Sequence, residues 1–518
     1  MYPLRTTVVV ASLLILAGCG AGRDYERPSA AEQAAWSAPL AAEAAEAVNP
    51  VPLAQWWRSF ADERLDRLIA AALAQTLDLR RALARIDETR ASRRAVRWLS
   101  APDVDLAGSA ERRKYSANVP GPSSGIAETY EAGFDLSWEL DLAGGLRRGV
   151  EAQSADLAAR QAGYHEVATL IAAETTRAYI DLLAAQEQLE VAKADLADLG
   201  RMRAVIAARV NAGGAPSSAL AQADATRLLV AAGLPEFELR RTNALTRLAT
   251  LLSLPPAEAL GAAAADSAFA GLSSVARIPV PGAMFAAGLP SDLIRRRPDL
   301  RRAEREIAAA VARVGVAERD LYPRFSLTGS FGLESDSVGE FTEGGSQFWS
   351  IGPAIRWPLL SIFRVRAQIA AADARAEQAS LVWQQAVLAA FAEVEDALAG
   401  VARGQERARI VGEALSAQER ALSAVRLRYE RGAEDLFALL VEQRNASAIR
   451  QQAVEARRTV VRGGVVEDRK PLVQMQHATR CERVRGVEIF IKARQGGDLV
   501  KNHAAGSDAR VGGVGDAA

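Results

Sequence analysis

The sequence predicts a mainly α-helical fold with a small β part. Long antiparallel helical hairpins are built twice over, and each copy carries a pair of strands. Three observations predict it. First, residues 362–431 hold no proline and only three glycines, Gly400, Gly404 and Gly412. They are dense in the strong helix formers Ala, Leu, Arg, Glu and Gln. Apolar residues recur there at helical spacing, at Trp383, Val387, Ala390, Val394, Ala397 and Val401. At about 1.5 Å per residue such a helix runs on the order of 100 Å, longer than a globular core needs. Charged residues in every turn or two exclude a membrane-spanning helix. Second, the stretch has a twin 219 residues upstream. Third, the hydrophobic period changes to two after Pro102 and again after Pro323.

The duplication holds over some seventy residues without a gap. Trp138 aligns with Trp357, Arg147 with Arg366, Glu174 with Glu393, Arg209 with Arg428 and Gly213 with Gly432, all at an offset of 219. Upstream, Asp78-Leu79-Arg80-Arg81-Ala82 aligns with Asp299-Leu300-Arg301-Arg302-Ala303 at 221, as does Pro102 with Pro323. The period is far longer than the 20–50 residues of solenoids, so the chain is a tandem repeat of two large units. Its 518 residues exceed one simple core, but the repeat argues for one elongated body. Charge is balanced at 63 against 63, which gives no footprint for nucleic acid. Cys19 and Cys481 are the only cysteines, so no disulfide framework is implied.

Taken in order, residues 1–18 read as a signal peptide: Arg5, then an apolar run too short to span a bilayer as a mature helix. The run ends in Leu16-Ala17-Gly18-Cys19, which resembles a bacterial lipobox and makes Cys19 the site of lipid attachment; the alternative is a chance cysteine. Gly20 follows rather than Asp, similar to the outer-membrane sorting pattern of Gram-negative lipoproteins. Residues 19–55 form an Ala/Glu/Pro-rich arm. Residues 56–262 form the first repeat. It opens with a helix over 63–99, whose Leu65, Leu68, Ile69, Ala72 and Leu73 trace one face. Strands follow at 103–115 and 129–141 with a Gly/Pro/Ser-rich loop between them. A long helix then runs to Arg209, and a return helix over 217–254 is interrupted by Pro235, where a kink is expected. A linker, 263–288, leads to the second repeat, 289–461, with strands at 324–335 and 347–358. Four strands cannot close a barrel alone and their edges are a liability. Aromatic-ended strands on an outward-sorted lipoprotein suggest a transmembrane barrel pooled from several chains.

The chain resembles the outer-membrane channel components of tripartite efflux systems, the TolC-like outer-membrane factors, in their NodT-type lipoprotein branch. The resemblance rests on the lipobox, on Asp24-Tyr25-Glu26-Arg27-Pro28, and on Trp56-Trp57-Arg58-Ser59-Phe60-Ala61-Asp62. It rests most on Gly288-Leu289-Pro290-Ser291-Asp292-Leu293-Ile294-Arg295-Arg296-Arg297-Pro298-Asp299-Leu300. It spans residues 16 to about 460. It implies a homotrimer whose three chains pool twelve strands into an outer-membrane β-barrel above a periplasmic α-barrel. It further implies loading by a periplasmic adaptor protein and an inner-membrane transporter of RND type, and a passive export duct with no cofactor, metal or catalytic role. Localisation would be the outer membrane, lipid-anchored at Cys19. Type I protein secretion is the variant reading. A non-channel coiled-coil spacer lipoprotein is the alternative class, and it has no need of four alternating strands.

The resemblance directs attention to the tip where the second long helix turns. The family closes its periplasmic entrance there, and Tyr429 and Gly432 match the pattern. Phe437 falls where some members carry an apolar plug, and Arg428, Glu434, Asp435 and Glu442 could supply charge. The aspartates some members carry align with Ala438 and Val441. The first-repeat tip, Arg209, Gly213 and Gly214, is the corresponding adaptor contact. Each charge here could equally be part of an ordinary solvated helical turn. Glu174 and Glu393 either line a polar lumen or pair between helices. Arg295-Arg296-Arg297 reads as a solvated turn before Pro298, and His165, lacking any metal-spaced partner, as a helix-face residue.

The C-terminus contradicts its own repeat. The return helix should extend to Val473 by offset, but Gly463-Gly464 and Pro471 intervene. Two glycines cost about 2 kcal/mol in a helix interior and proline about 3 more. The helix is therefore expected to end near Val461, about three turns short. Three of five lysines and two of three histidines fall after that point. Residues 462–518 thus read as an atypical, structureless tail, either a genuine extension or the product of a shifted reading frame.

Overall fold

The computed structural model describes residues 22–29, 36–37, 53–116, 118, 126–261, 267–274, 276–279 and 295–465. All lie in one unit of the chain, residues 1–474; the other unit, 475–518, falls outside the described residues. So do Cys19, the first residues of the Gly288–Leu300 motif and the tail past Val465. Each repeat supplies helix, hairpin, long helix and return helix. The first comprises α1 (Glu63–Gln75), α2 (Leu77–Trp98), β1 (Asp103–Lys114), β2 (Ile126–Leu140), α3 (Gly145–Asn211) and α4 (Ser217–Leu251). The second comprises α5 (Pro298–Glu318), β3 (Arg324–Ser335), β4 (Gln347–Arg356), α6 (Ile362–Glu430) and α7 (Leu436–Gly464). The two long helices have 67 and 69 residues, so each spans about 100 Å. Among the described residues, no helix is long and apolar enough to cross a membrane. Helix α4 is continuous through Pro235.

The four strands form one antiparallel sheet in the order β1-β2-β3-β4, so the two repeats join through β2 and β3. Alternation assigns its faces. Val104, Leu106, Phe134, Leu136, Phe331, Trp349, Ile351 and Ile355 fall on one face in register. Much of that face is exposed: Leu106 at 73%, Trp349 at 75% and Ile355 at 67%. The other face carries Asp105, Asp135, Ser330 and Ser350 in one cross-strand row. At the centre Gly133 pairs with Gly332, and the backbones approach so closely that a Cβ on Gly332 would lie 2.5 Å from the Ala132 carbonyl oxygen. Each hairpin is fastened to the preceding helix by the repeated tryptophan. Trp138 Nε1 donates to the Ser100 carbonyl at 3.0 Å, and Trp357 Nε1 to that of Leu321 at 3.1 Å.

The main core lies where α1 crosses α3 and α4. Leu65, Leu68, Ile69, Tyr179, Ile180, Leu182, Leu248 and Leu252 are sealed there, with Trp56 and Phe60. Each such aliphatic side chain contributes about 1.5–3 kcal/mol of burial. Asp62 explains why Trp56–Asp62 is a motif. It caps α1 by accepting the Arg64 N–H at 2.9 Å, holds the Arg64 guanidinium, and accepts the fully buried Tyr179 hydroxyl at 2.6 Å. The helix expected over 63–99 is two helices. The buried Thr76 turns extended (ψ 133°), and the freed Leu77 N–H donates to Ser253 Oγ at 3.0 Å.

Two more expectations change. Arg297 is not in a solvated turn: it is buried and holds Asp299 at 3.2 Å and Glu393 at 2.6 Å. Burial works against its charge, but the two carboxylates outweigh that and raise its pKa. Helix α7 does not stop near Val461 but runs through both glycines to Gly464. Val465 is completely buried, and its carbonyl accepts from Arg177 Nε at 2.9 Å. Tertiary packing overrides the propensity cost of the glycines. The described part of the arm is docked. Arg148 donates to the Gly22 carbonyl and to Asp24, Tyr25 and Arg27 reach Glu304, and Trp36 meets Phe391 edge-on at 6.1 Å.

Burial raises the Asp62 carboxyl, but hydrogen bonds from Arg64 and Tyr179 outweigh it, so its pKa lies below the ordinary 3.8. Its ionised form therefore stabilises the fold above that value, and the contribution is lost as pH falls through the depressed pKa. The expected outcome is that Asp62→Asn lowers the melting temperature most at neutral pH, with the gap to the parent protein closing below about pH 4. A gap independent of pH in thermal scans from pH 3 to 7 would contradict the assignment.

Candidate functional site

Both long helices end in the same turn. At the first, Gly213 is left-handed (φ 75°), its N–H donates to the Val210 carbonyl, and Gly214 N–H donates to that of Arg209 at 2.8 Å. At the second, Gly432 (φ 74°) donates to Tyr429 and Ala433 N–H to the Arg428 carbonyl at 2.9 Å. These are paired Schellman motifs, which satisfy the last carbonyls of each helix and need glycine at the left-handed position. Asp435 then starts α7 by accepting the Ala438 N–H at 2.8 Å.

The two tips meet. Arg209 donates to the Tyr429 hydroxyl at 3.1 Å, and its guanidinium carbon sits 4.9 Å from that ring's centroid. Sequence alignment puts Arg209 and Arg428 in equivalent places, and nothing in it announces that one repeat's arginine clasps the other's tyrosine. Tyr429 packs against the buried cluster of Leu422, Val425, Leu439 and Ala446. Arg428 pairs with Glu434 across its own turn at 3.3 Å. Glu442 accepts from Gln418 of α6. Phe437 stands apart from these, 56% exposed at the end of the molecule. So Arg209 and Tyr429 are brought together, while Arg428, Glu434, Asp435 and Glu442 serve local turns and helix contacts.

Above the tip, α7 is fastened to α3 by a ladder that sequence reasoning did not single out. Arg450 holds the buried Asp195 at 2.8 Å, Arg457 holds Glu187 at 2.6 Å, and Arg458 and Arg462 share Asp181 at 3.2 and 3.3 Å. Burial pushes the Asp181 carboxyl up in spite of those two arginines. The signal was available in part, since the arginines recur at i, i+7, i+8 and i+12 on one side of α7. The matched glutamates are ion-paired in this chain. Glu174 takes Arg177 and Arg247, and Glu393 takes Arg297. His165 is an exposed helix-face residue whose pKa is lowered by desolvation from neighbouring side chains and by Arg301.

A family model described as outer membrane efflux protein matches residues 68–253 and 289–462. Nodulation protein T of Rhizobium leguminosarum bv. viciae is 30% identical over 454 residues, covering 86% of this chain and 89% of that protein. Outer membrane protein OprJ of Pseudomonas aeruginosa is 31% identical over 445 residues, covering 84% and 90%. Among solved structures, the outer-membrane channel OprN is 30% identical and matches with a TM-score of 0.77 over 86% of this chain and 97% of that one. The Campylobacter jejuni CmeC outer membrane channel, 20% identical, shares the fold with a TM-score of 0.80.

The left-handed turns make a test. Forcing an L side chain into that conformation costs about 1–2 kcal/mol. Gly213→Ala and Gly432→Ala should each lower the unfolding midpoint, whereas Gly412→Ala, in open space within α6, should leave it unchanged or raise it.

Proposed function

The chain belongs to the outer membrane efflux protein family, and from that premise we propose that three copies close into a lipid-anchored export duct spanning the outer membrane and periplasm. The protein is an outer-membrane efflux channel. The observation that carries this reading is the sheet. One face is apolar and exposed, the other polar, and the strands of 12, 15, 12 and 10 residues are long enough to cross a bilayer. Each hairpin leads directly into a long helix, β2 into α3 and β4 into α6. A coiled-coil spacer would have no use for such strands. Purified protein in planar bilayers should conduct ions; a folded trimer that conducts none would sink the channel reading.

Loading falls to a periplasmic adaptor and an inner-membrane transporter of RND type. The adaptor would meet the exposed tips, Arg209, Gly213 and Gly214 among them. Small toxic molecules are the cargo class, with protein export the variant reading. The lipid belongs on Cys19. Gly22 rests against Gly315 at the helix-to-strand junction, and three residues of chain reach at most about 10 Å from there. That keeps an acyl chain at the level where the strands enter the membrane. Cys19→Ser should abolish incorporation of a tagged fatty acid; equal labelling of parent and variant would refute the anchor.

The tip is the gate. The Arg209 clasp holds Tyr429 in place, and the exposed Phe437 supplies apolar surface where three chains converge. Tyr429→Ala combined with Phe437→Ala should raise the resting conductance of a correctly assembled trimer. An unchanged single-channel record would count against the assignment.

A further inference from the structure

The polar face of the sheet carries one side chain that does not suit it. Among the described residues of β1–β4, Phe348 is the single apolar side chain larger than alanine on that face. It is the register partner of Gly332, and its ring lies over that glycine: a Cβ there would stand 3.0 Å from the ring edge. The row continues through Gly133 to Ala107. Phe348 is thus an aromatic plate on a floor without side chains, half-buried in the single chain.

The rows on either side are acidic. Two residues along the strands, about 7 Å away, one row holds Asp105 and Asp135 with the Ser330–Ser350 hydroxyl pair. The other holds Ser109, Glu131 and Glu334. No ion-pair partner for Asp105, Glu131, Asp135 or Glu334 occurs among the described residues. Like charges opposite one another across strands destabilise a sheet, so Asp105 beside Asp135 and Glu131 beside Glu334 are not explained by folding. Aromatic faces attract cations, most strongly arginine-like and quaternary ones, within about 6 Å of the ring centroid.

Resting on the channel reading above, we propose that Phe348 is a specificity-determining residue of the duct, a stacking subsite for hydrophobic organic cations in transit, with the four flanking carboxylates setting the sign of charge. A cation bearing apolar rings would lay one ring on Phe348 and its charge toward either acidic row. Each subunit of a closed trimer contributes one such plate, so cargo passes between three.

A different role for the ring is cover for the glycine backbone, since aromatics stabilise strands by shielding glycine. The experiment separates the two. Tetraphenylphosphonium binding to the full-length trimer is measured by titration calorimetry, with naphthalene-2-sulfonate as the aromatic anion. The parent protein and Phe348→Trp should bind the cation and not the anion. Phe348→Leu should weaken the cation on the order of fivefold or more, and Asp135→Asn with Glu334→Gln should weaken it without loss of assembly. Equal cation binding by parent and Phe348→Leu, with only the melting temperature changed, would overturn the proposal and leave glycine cover as the role. Conductance of the same preparations is read in parallel. A conducting trimer whose cation binding ignores Phe348 sinks this inference alone, whereas a non-conducting one sinks the channel reading beneath it.

Discussion

The backbone of the sheet imposes the demand that the rest of the molecule answers. Strands β1 and β4 each have one edge with no strand partner among the described residues. In hydrocarbon an unpaired N–H or C=O costs several kcal/mol, which is why only helices and closed barrels cross membranes. An exposed apolar face with open edges is therefore an incomplete object, and closure needs strands from further copies. The duplication serves the same end. Each repeat brings one hairpin, and the β2–β3 pairing, with two glycines at its closest point, fuses them into a wider segment of wall.

The long helices are not equivalent beneath that sheet. Helix α3 is packed between both halves, buried nearly all round from Thr169 to Ala192, with Thr175 and Thr176 returning their hydroxyls to its own carbonyls. Helix α6 buries a single stripe from Val365 to Val425 and exposes Leu381, Val382 and Leu388 on its other side. An apolar flank on a helix that long is what a neighbouring copy would cover. The polar contacts follow the same division. Carboxylates on α3, the buried Asp195 and the half-buried Glu187 and Asp181, take arginines from α7; a charge as deep as that of Asp195 would be costly unpaired.

The elements read from sequence are those whose signal is local. Strand alternation survives because one face meets lipid-like surroundings and the other water, so Phe325 to Leu333 and Trp349 to Ile355 show their period directly. The two tips are legible because left-handed glycine recurs at a fixed offset. What stayed hidden depends on residues far away in the chain. The break at Thr76 needs Ser253, the burial of Arg297 needs Glu393, and the clasp on Tyr429 needs Arg209. The end of α7 was misread for the same reason. Glycine propensity is local, but the packing of Val461 and Val465 against the first repeat is not. Phe348 reads in sequence as one more aromatic near a strand end; only the register shows that it faces the polar side.

The core that holds Trp56 and Leu65 also holds Val454, Val461 and Val465. More than four hundred residues separate the first of these from the last, so this packing is strongly non-local and cannot be completed early. A ribosome must release almost the whole chain before that core has all its members. The nascent protein is consequently suited to remain loose while it is translocated, and to commit to its native form only afterwards. A chain broken off a few residues before Val465 would lack one member of the core that seats its opening segment.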